Sequence, residues 1–278
     1  MRLAWGLTLL AMVGCSESPS DLLHAGDELL FSEKYLDAAK RYEAVVLETR
    51  DDRTPEAVAL RGVALKKLAE VRHHFLHDVE GALRTYRAAA ELVPGTKDAF
   101  DARLAVVQIL RDRLGDPATA ATELAGLIDA FPEDAAIPGL RLEHARLAFR
   151  VGKYPLALSQ AQRLVSVDDR TLRIEAGLLI GSIHRLEGRY EQALDRYRAL
   201  LDDQLDAETR GRTRFELARC LEELGRLDEA LEAYALAEAD QVDRDLIAAR
   251  VSRVKSRIES LKLSANGRAR HGGTSIRF

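Results

Sequence analysis

Several kinds of residue are scarce in this chain of 278 residues, and each shortage removes a class of protein. Proline numbers seven, and Val, Ile and Thr are thinly spread, so a large β-sheet is excluded and helix is favoured throughout. Aromatic residues make up 5%. Two cysteines, Cys15 and Cys220, form no C-x-x-C pair, which removes the thiol-based metal and redox motifs. Charge of one sign is lacking as well: the formal net charge is −4, with acids and bases interspersed. A nucleic-acid binder needs a basic surface to displace counterions, so that class is set aside. No Gly-rich phosphate loop, G-x-S-x-G elbow or H-E-x-x-H pair occurs, and no nucleophile stands beside an evident base. The expectation is a protein that is not an enzyme and needs no cofactor.

What remains is a foldable composition, 47% hydrophobic and 31% charged, dominated by Ala, Leu, Glu and Arg. The N-terminus departs from it. "MRLAWGLTLLAMVGC" has a basic residue, Arg2, then an apolar run from Leu3 to Val13, then Gly14-Cys15. That is the layout of a secretory signal, and the run is too short to span a bilayer, which needs roughly 20 residues. The ending resembles the bacterial lipobox, although Met12 stands where Leu is usual. The resemblance implies that residues 1–14 are removed and that Cys15 is lipidated. Residues 15–20 then form a short tether. A residue other than Asp after the Cys, here Ser16, implies sorting to the outer membrane, facing the periplasm.

From residue 21 the chain repeats itself. "GRYEQALDRY" at 188–197 returns as "GRLDEALEAY" at 225–234. With the central alanine as marker, the series is Ala38, Ala82, Ala120, Ala157, Ala193 and Ala230. A near-constant period in this range marks stacked supersecondary units that bury a face only against their neighbours. The details resemble the tetratricopeptide repeat. Gly188, Tyr190, Ala193 and Tyr197 match its turn and second helix in full. Gly225, Ala230 and Tyr234 match with Leu227 replacing an aromatic, and Gly152, Tyr154 and Ala157 match the turn. Small residues recur twelve before the marker at Gly26, Ala145, Gly181 and Ala218, and a closing proline twelve after it at Pro94 and Pro132. The resemblance implies an all-α, right-handed superhelix of about six helix-turn-helix repeats over residues 21–241. A capping helix over 242–263 should follow it. There Leu246, Ile247, Val251, Val254, Ile258 and Leu261 share a face. Residues 264–278 read as a disordered basic tail. The second repeat is longer by about two helical turns, so its first helix is expected to overhang the array.

Two groups of candidate site residues follow. In tetratricopeptide arrays the first helices line a peptide-binding groove, and the residues three before and one after the small position usually face the ligand. The resemblance therefore points to Leu142, Arg146, Leu178, Phe215 and Arg219, and Arg150 and Arg185 extend the series into a basic stripe suited to an acidic segment or peptide C-terminus. Against it stands a salt-bridged surface, since Glu143, Glu216, Glu222 and Glu223 are near in sequence. In "EVRHHFLHD", His73 and His77 lie four apart, the spacing of one helix face, and make a weak metal site, with a polar helix end as the plainer reading. Cys220 reads as a small buried apolar residue. The combined expectation is a lipid-anchored protein-interaction scaffold of the bacterial cell envelope, with an unknown protein partner in the groove. Accessory roles in outer-membrane barrel assembly, secretion-pore assembly or cell-wall synthesis are the alternatives.

Overall fold

Seven described residues lie in the left-handed backbone region, and six of them fold the second helix of a pair back on the first. The computed structural model describes residues 17–201, 204–240 and 243–271, with side chains to Ser264. Within these lie thirteen α-helices and no strand. Cys15 and the signal segment lie outside the described residues, as do residues 272–278. The chain divides into two compact units between Phe131 and Pro132. The first holds α1 (Pro19–Phe31), α2 (Tyr35–Glu48), α3 (Pro55–His74), α4 (Val79–Leu92), α5 (Lys97–Asp112) and α6 (Pro117–Ala130). The second holds α7 (Ile137–Arg150), α8 (Tyr154–Gln162), α9 (Arg170–Leu186), α10 (Tyr190–Leu201), α11 (Ala207–Glu223), α12 (Leu227–Ala239) and α13 (Arg244–His271). The architecture is an all-α solenoid of helix-turn-helix repeats.

The turn inside every pair holds one left-handed residue. φ is +59° at Glu33, +54° at His77, +61° at Gly115, +76° at Gly152, +74° at Gly188 and +75° at Gly225. Each of these residues lies five before a marker alanine, and all six marker alanines are fully buried. In four pairs the turn closes as a Schellman motif, as where Gly188 N–H donates to Arg185 C=O and Arg189 N–H to His184 C=O. In the second and third pairs the turn runs one residue wider, with Asp78 N–H bonding Arg72 C=O and Asp116 N–H bonding Leu110 C=O. There Asp78 and Asp116 also cap the second helix, accepting from Gly81 N–H at 2.9 Å and Thr119 N–H at 3.0 Å.

Close approach of the two helices in a pair depends on a small residue opposite a ring. A Cβ added to Gly26 would lie 2.6 Å from the Tyr42 ring, and one on Gly181 would lie 2.5 Å from the Tyr197 ring. Three of the buried hydroxyls find a partner on the first helix. Tyr42 donates to Asp27 at 2.7 Å, Tyr234 to Glu222 at 3.0 Å, and Tyr197 pairs with Ser182 at 3.3 Å. Burial first, and then Glu216 and the Cys220 thiol, push the Tyr197 phenol up to about 12, outweighing the opposing Ser182 hydrogen bond.

Three boundaries differ from the sequence expectation. The first helix starts at Pro19 rather than Asp21, because Ser18 and Asp21 form a reciprocal capping box and Pro19 presets the first helical φ. The long first helix of the second repeat does not project free. Its added turns lie over the end of α2, where buried Arg61 donates to the carbonyls of Thr49 and Arg50. Helix α13 continues to His271, so residues 264–271 are not a disordered tail. The segment lacks apolar periodicity, but it also lacks proline and is rich in Ala and Arg, which propagate a helix without any packed face.

The turns make a direct prediction. Glu33→Gly and His77→Gly remove a side chain from the left-handed region and should each raise stability by about 1 kcal/mol, read as a higher urea midpoint. Gly181→Ala should lower stability by about 1–3 kcal/mol through overpacking against Tyr197.

Candidate protein-interaction face

The first helices α7, α9 and α11 pack on one another in series, whereas the second helices α8, α10 and α12 do so less. The first helices therefore form the inner side of the second unit. Counted from the small residues Ala145, Gly181 and Ala218, four positions on each helix share that outward-facing stripe. On α7 it reads Gly139, Glu143, Arg146 and Arg150. On α9 it reads Glu175, Leu179, Ser182 and Leu186, and on α11 Arg212, Glu216, Arg219 and Glu223. All twelve are exposed or partly exposed. The middle helix brings Leu186, 47% exposed, between two charged helices.

Charge on this face is ordered into pairs, two between helices and one within α11. Arg146 donates to Glu175 at 2.7 Å. Glu216 accepts from Arg219 at 3.0 and 3.3 Å. Arg185 Nε approaches the same carboxylate at 3.1 Å without the alignment of a hydrogen bond. Further along, buried Glu222 takes the Tyr234 hydroxyl, with Arg250 at 3.9 Å, while Arg257 donates to the Glu222 backbone carbonyl. Arg150, Arg212 and Glu223 have no ion-pair partner among the described residues. The face thus presents fixed charges of both signs, a few unpaired ones, and an apolar centre.

The residues expected from sequence are only partly on it. Leu142, Leu178 and Phe215 are core residues, with exposures of 4%, 3% and 8%, and do not line an open groove. At about 100° per residue, a position three before the small residue lies only about 60° from it, on the buried shoulder. Arg146, Arg185 and Arg219 are paired with Glu175 and Glu216, so they form a ladder rather than a free basic stripe, and Arg150 stands exposed. Sequence reasoning passed over Glu175, Leu179, Leu186 and Arg212. Their spacing of four, three and four along each helix was the signal that would have found them.

Other arginines tie loops. Arg173 donates to the Val167 and Asp168 carbonyls at 2.7 Å each, and Arg210 to Leu205 C=O at 3.2 Å. Arg210 and Arg214 together clamp the buried Asp240 carboxylate, with contacts from 2.5 to 2.9 Å. The proposed histidine pair does not form. Helix α3 ends at His74, and His77 is the left-handed turn residue, so His73 and His77 share no helix face. Burial and then the neighbouring charges of His74 and Arg113 hold the His73 imidazole below its ordinary range, which favours the neutral ring. Among the described residues no group of three His, Cys, Asp or Glu is placed to hold a metal ion, and no helix is long and apolar enough to cross a membrane. Cys220 is fully buried, and burial pushes its thiol up to about 12.

With the repeat geometry established, the comparisons agree. Residues 142–206 and 178–243 match the tetratricopeptide repeat family model. Both stretches lie in the second unit. The fold is similar to that of MamA, with a TM-score of 0.52 at 17% identity over 65% of this chain and 91% of MamA. It is also similar to that of YrrB, a TPR protein with an unusual peptide-binding site, with a TM-score of 0.54 at 18% identity over 76% of this chain and 98% of YrrB. At these identities the likeness concerns the fold. No curated protein matches the chain in sequence.

The Asp240 clamp sets a pH dependence. Hydrogen bonds from Arg210 hold the Asp240 carboxyl below the ordinary carboxylate range, with burial opposing them and the Arg214 and Arg210 charges assisting. A depressed folded-state value adds stability that is complete above the unfolded value of about 3.9 and is lost as pH falls through the folded one. Asp240→Asn should therefore cost roughly 1–2 kcal/mol at neutral pH. The gap to the parent chain should close below about pH 4 in urea titrations.

Proposed function

We propose that this chain is a non-enzymatic scaffold that holds a segment of another protein along the α7, α9 and α11 face, tethered to a membrane of the bacterial cell envelope through lipidated Cys15. The observation that carries the binding reading is the register-matched stripe. Three successive first helices present residues at the same four positions, and the stripe leaves Arg150, Arg212, Glu223 and Leu186 unsatisfied at the surface. A segment with one apolar side chain for Leu186 and flanking charges of both signs fits that pattern. Preformed cross-helix ion pairs keep the face rigid, so little ordering is needed on binding. The repeat family and YrrB, a TPR protein with an unusual peptide-binding site, support a peptide-binding use of the fold.

Anchoring rests on the sequence "LAMVGC" that ends at Cys15, preceded by an apolar run and followed by polar residues. More than one acyl chain on one residue gives stable attachment, at about 0.8 kcal/mol per buried CH₂. Barrel assembly, secretion-pore assembly and control of cell-wall synthesis remain the processes such a scaffold would serve, and the partner distinguishes them.

Two experiments test the halves separately. Cys15→Ser should abolish incorporation of labelled fatty acid, and retained label overturns the anchor. Affinity purification from gently solubilised envelopes should recover a stoichiometric partner with the parent chain. Recovery should fall about tenfold or more with Leu186→Asp/Arg150→Glu. A partner that persists undiminished with the variant places binding on another surface.

A further inference from the structure

Among the described residues the first and last helices each lack a neighbour on one side, and they carry opposite charge. Residues 17–33 hold Glu17, Asp21, Asp27, Glu28 and Glu33 and no Lys or Arg. Residues 243–278 hold nine Lys or Arg against three acids. Local pairing removes part of this. Glu17 pairs with Arg41 at 2.6 Å and Asp27 with Lys67 at 2.8 Å, while Arg244 and Arg250 lie within 4 Å of Glu238 and Glu222. Glu28 and Glu33 on one end, and Arg253, Lys255 and Lys262 on the other, are exposed and have no ion-pair partner among the described residues.

Apolar shape follows the charge. Phe31, between Glu28 and Glu33, is 93% exposed at the end of α1, and no other large apolar side chain is as bare among the described residues. Beside α13 lies a depression of about 350 Å³ lined by Gly225, Leu227, Asp228, Ile258, Leu261 and Lys262. Its apolar wall includes Leu261, 56% exposed, and its rim carries Lys262. The sequence expectation put Leu246 and Leu261 on the packed face of the last helix, yet both are exposed, whereas Ile247 and Val254 are buried. Residues 258–262 lie level with the start of α12 at Leu227, so α13 runs on past it for about 13 Å at 1.5 Å per residue.

We propose that α1 of one copy docks on α13 of a second copy. Phe31 enters the depression beside Leu261, and Glu28 and Glu33 meet Lys262 and the neighbouring basic side chains. The occupant is another copy because the chain itself supplies both complementary ends. Pairing of α13 with α13 would set basic side chains against basic ones and is disfavoured. The contact uses different patches on the two copies, so it propagates into a ring or a filament rather than stopping at a symmetric dimer. One helix laid on another buries less than a standard interface, so association is weak and salt-sensitive. The inference is independent of the α7, α9 and α11 face.

The test is sedimentation velocity of the full chain over a micromolar concentration series, at low salt and at about 0.5 M salt, where screening reaches a few ångströms. Mass should rise with concentration beyond a dimer at low salt and fall back at high salt. Phe31→Ser, and separately Lys255→Glu/Lys262→Glu, should each associate about tenfold or more weakly with unchanged helical circular dichroism. An equimolar mixture of these two variants keeps one intact contact and should stop at a 1:1 complex. Glu28→Lys/Glu33→Lys combined with Lys255→Glu/Lys262→Glu in one chain should restore growth. A chain that stays monomeric throughout, a parent that stops at a dimer, or association that survives either variant overturns the proposal.

Discussion

Six side chains no larger than a methyl group govern this structure. Ala38, Ala82, Ala120, Ala157, Ala193 and Ala230 are all without solvent exposure, each one turn into a second helix. A larger residue there would push the helix off its partner and break register along the whole unit, since interiors pack at crystal-like density. The left-handed residue five positions earlier sets the angle at which the second helix returns, and the buried ring four positions later fills the seam where a tyrosine is present. Leu124 and Ala161 take the place of the ring in the third and fourth pairs.

The charged residues divide by depth. Arg61, Arg173 and Arg210 use their fixed donor forks to hold the carbonyls of loops between repeats, a task lysine performs poorly because its ammonium is a single point of charge. Arg146 and Arg185 are nearer the surface and join neighbouring first helices through Glu175 and Glu216, while Arg219 pairs with Glu216 along α11 itself. The outermost members, Arg150 and Arg212, have no ion-pair partner among the described residues. A face built this way gains specificity from the geometry of mixed charges more than raw affinity from an excess of one sign. That accords with a chain whose net charge is small for its number of ionised groups.

The repeats were legible because the spacing of small, aromatic and glycine residues is a covalent fact that survives folding unchanged. The second and third pairs were harder to read, since His77 replaces a turn glycine and Leu124 a tyrosine, yet the backbone there adopts the same left-handed turn as elsewhere. The boundary at Ser18 was missed although a capping box is written in the sequence, and the continuation of α13 was missed because apolar periodicity was weighted above helix propensity. The groove was legible only as a location. Residues 142, 178 and 215 were assigned to it by position, but an offset of about 60° from the small residue turns them into the core.

By itself the sequence determined the repeat count, the helix pairs, the marker alanines and the opposite charge of the two ends, because each depends on residue type and interval along the chain. Tertiary structure alone decided which arginines are free and which are spent. Arg146 is spent on Glu175, 29 residues away, and Arg210 on Asp240, 30 residues away. The physical reason is that an ion pair needs a distance of a few ångströms, and between helices that distance is set by packing rather than by position in the chain.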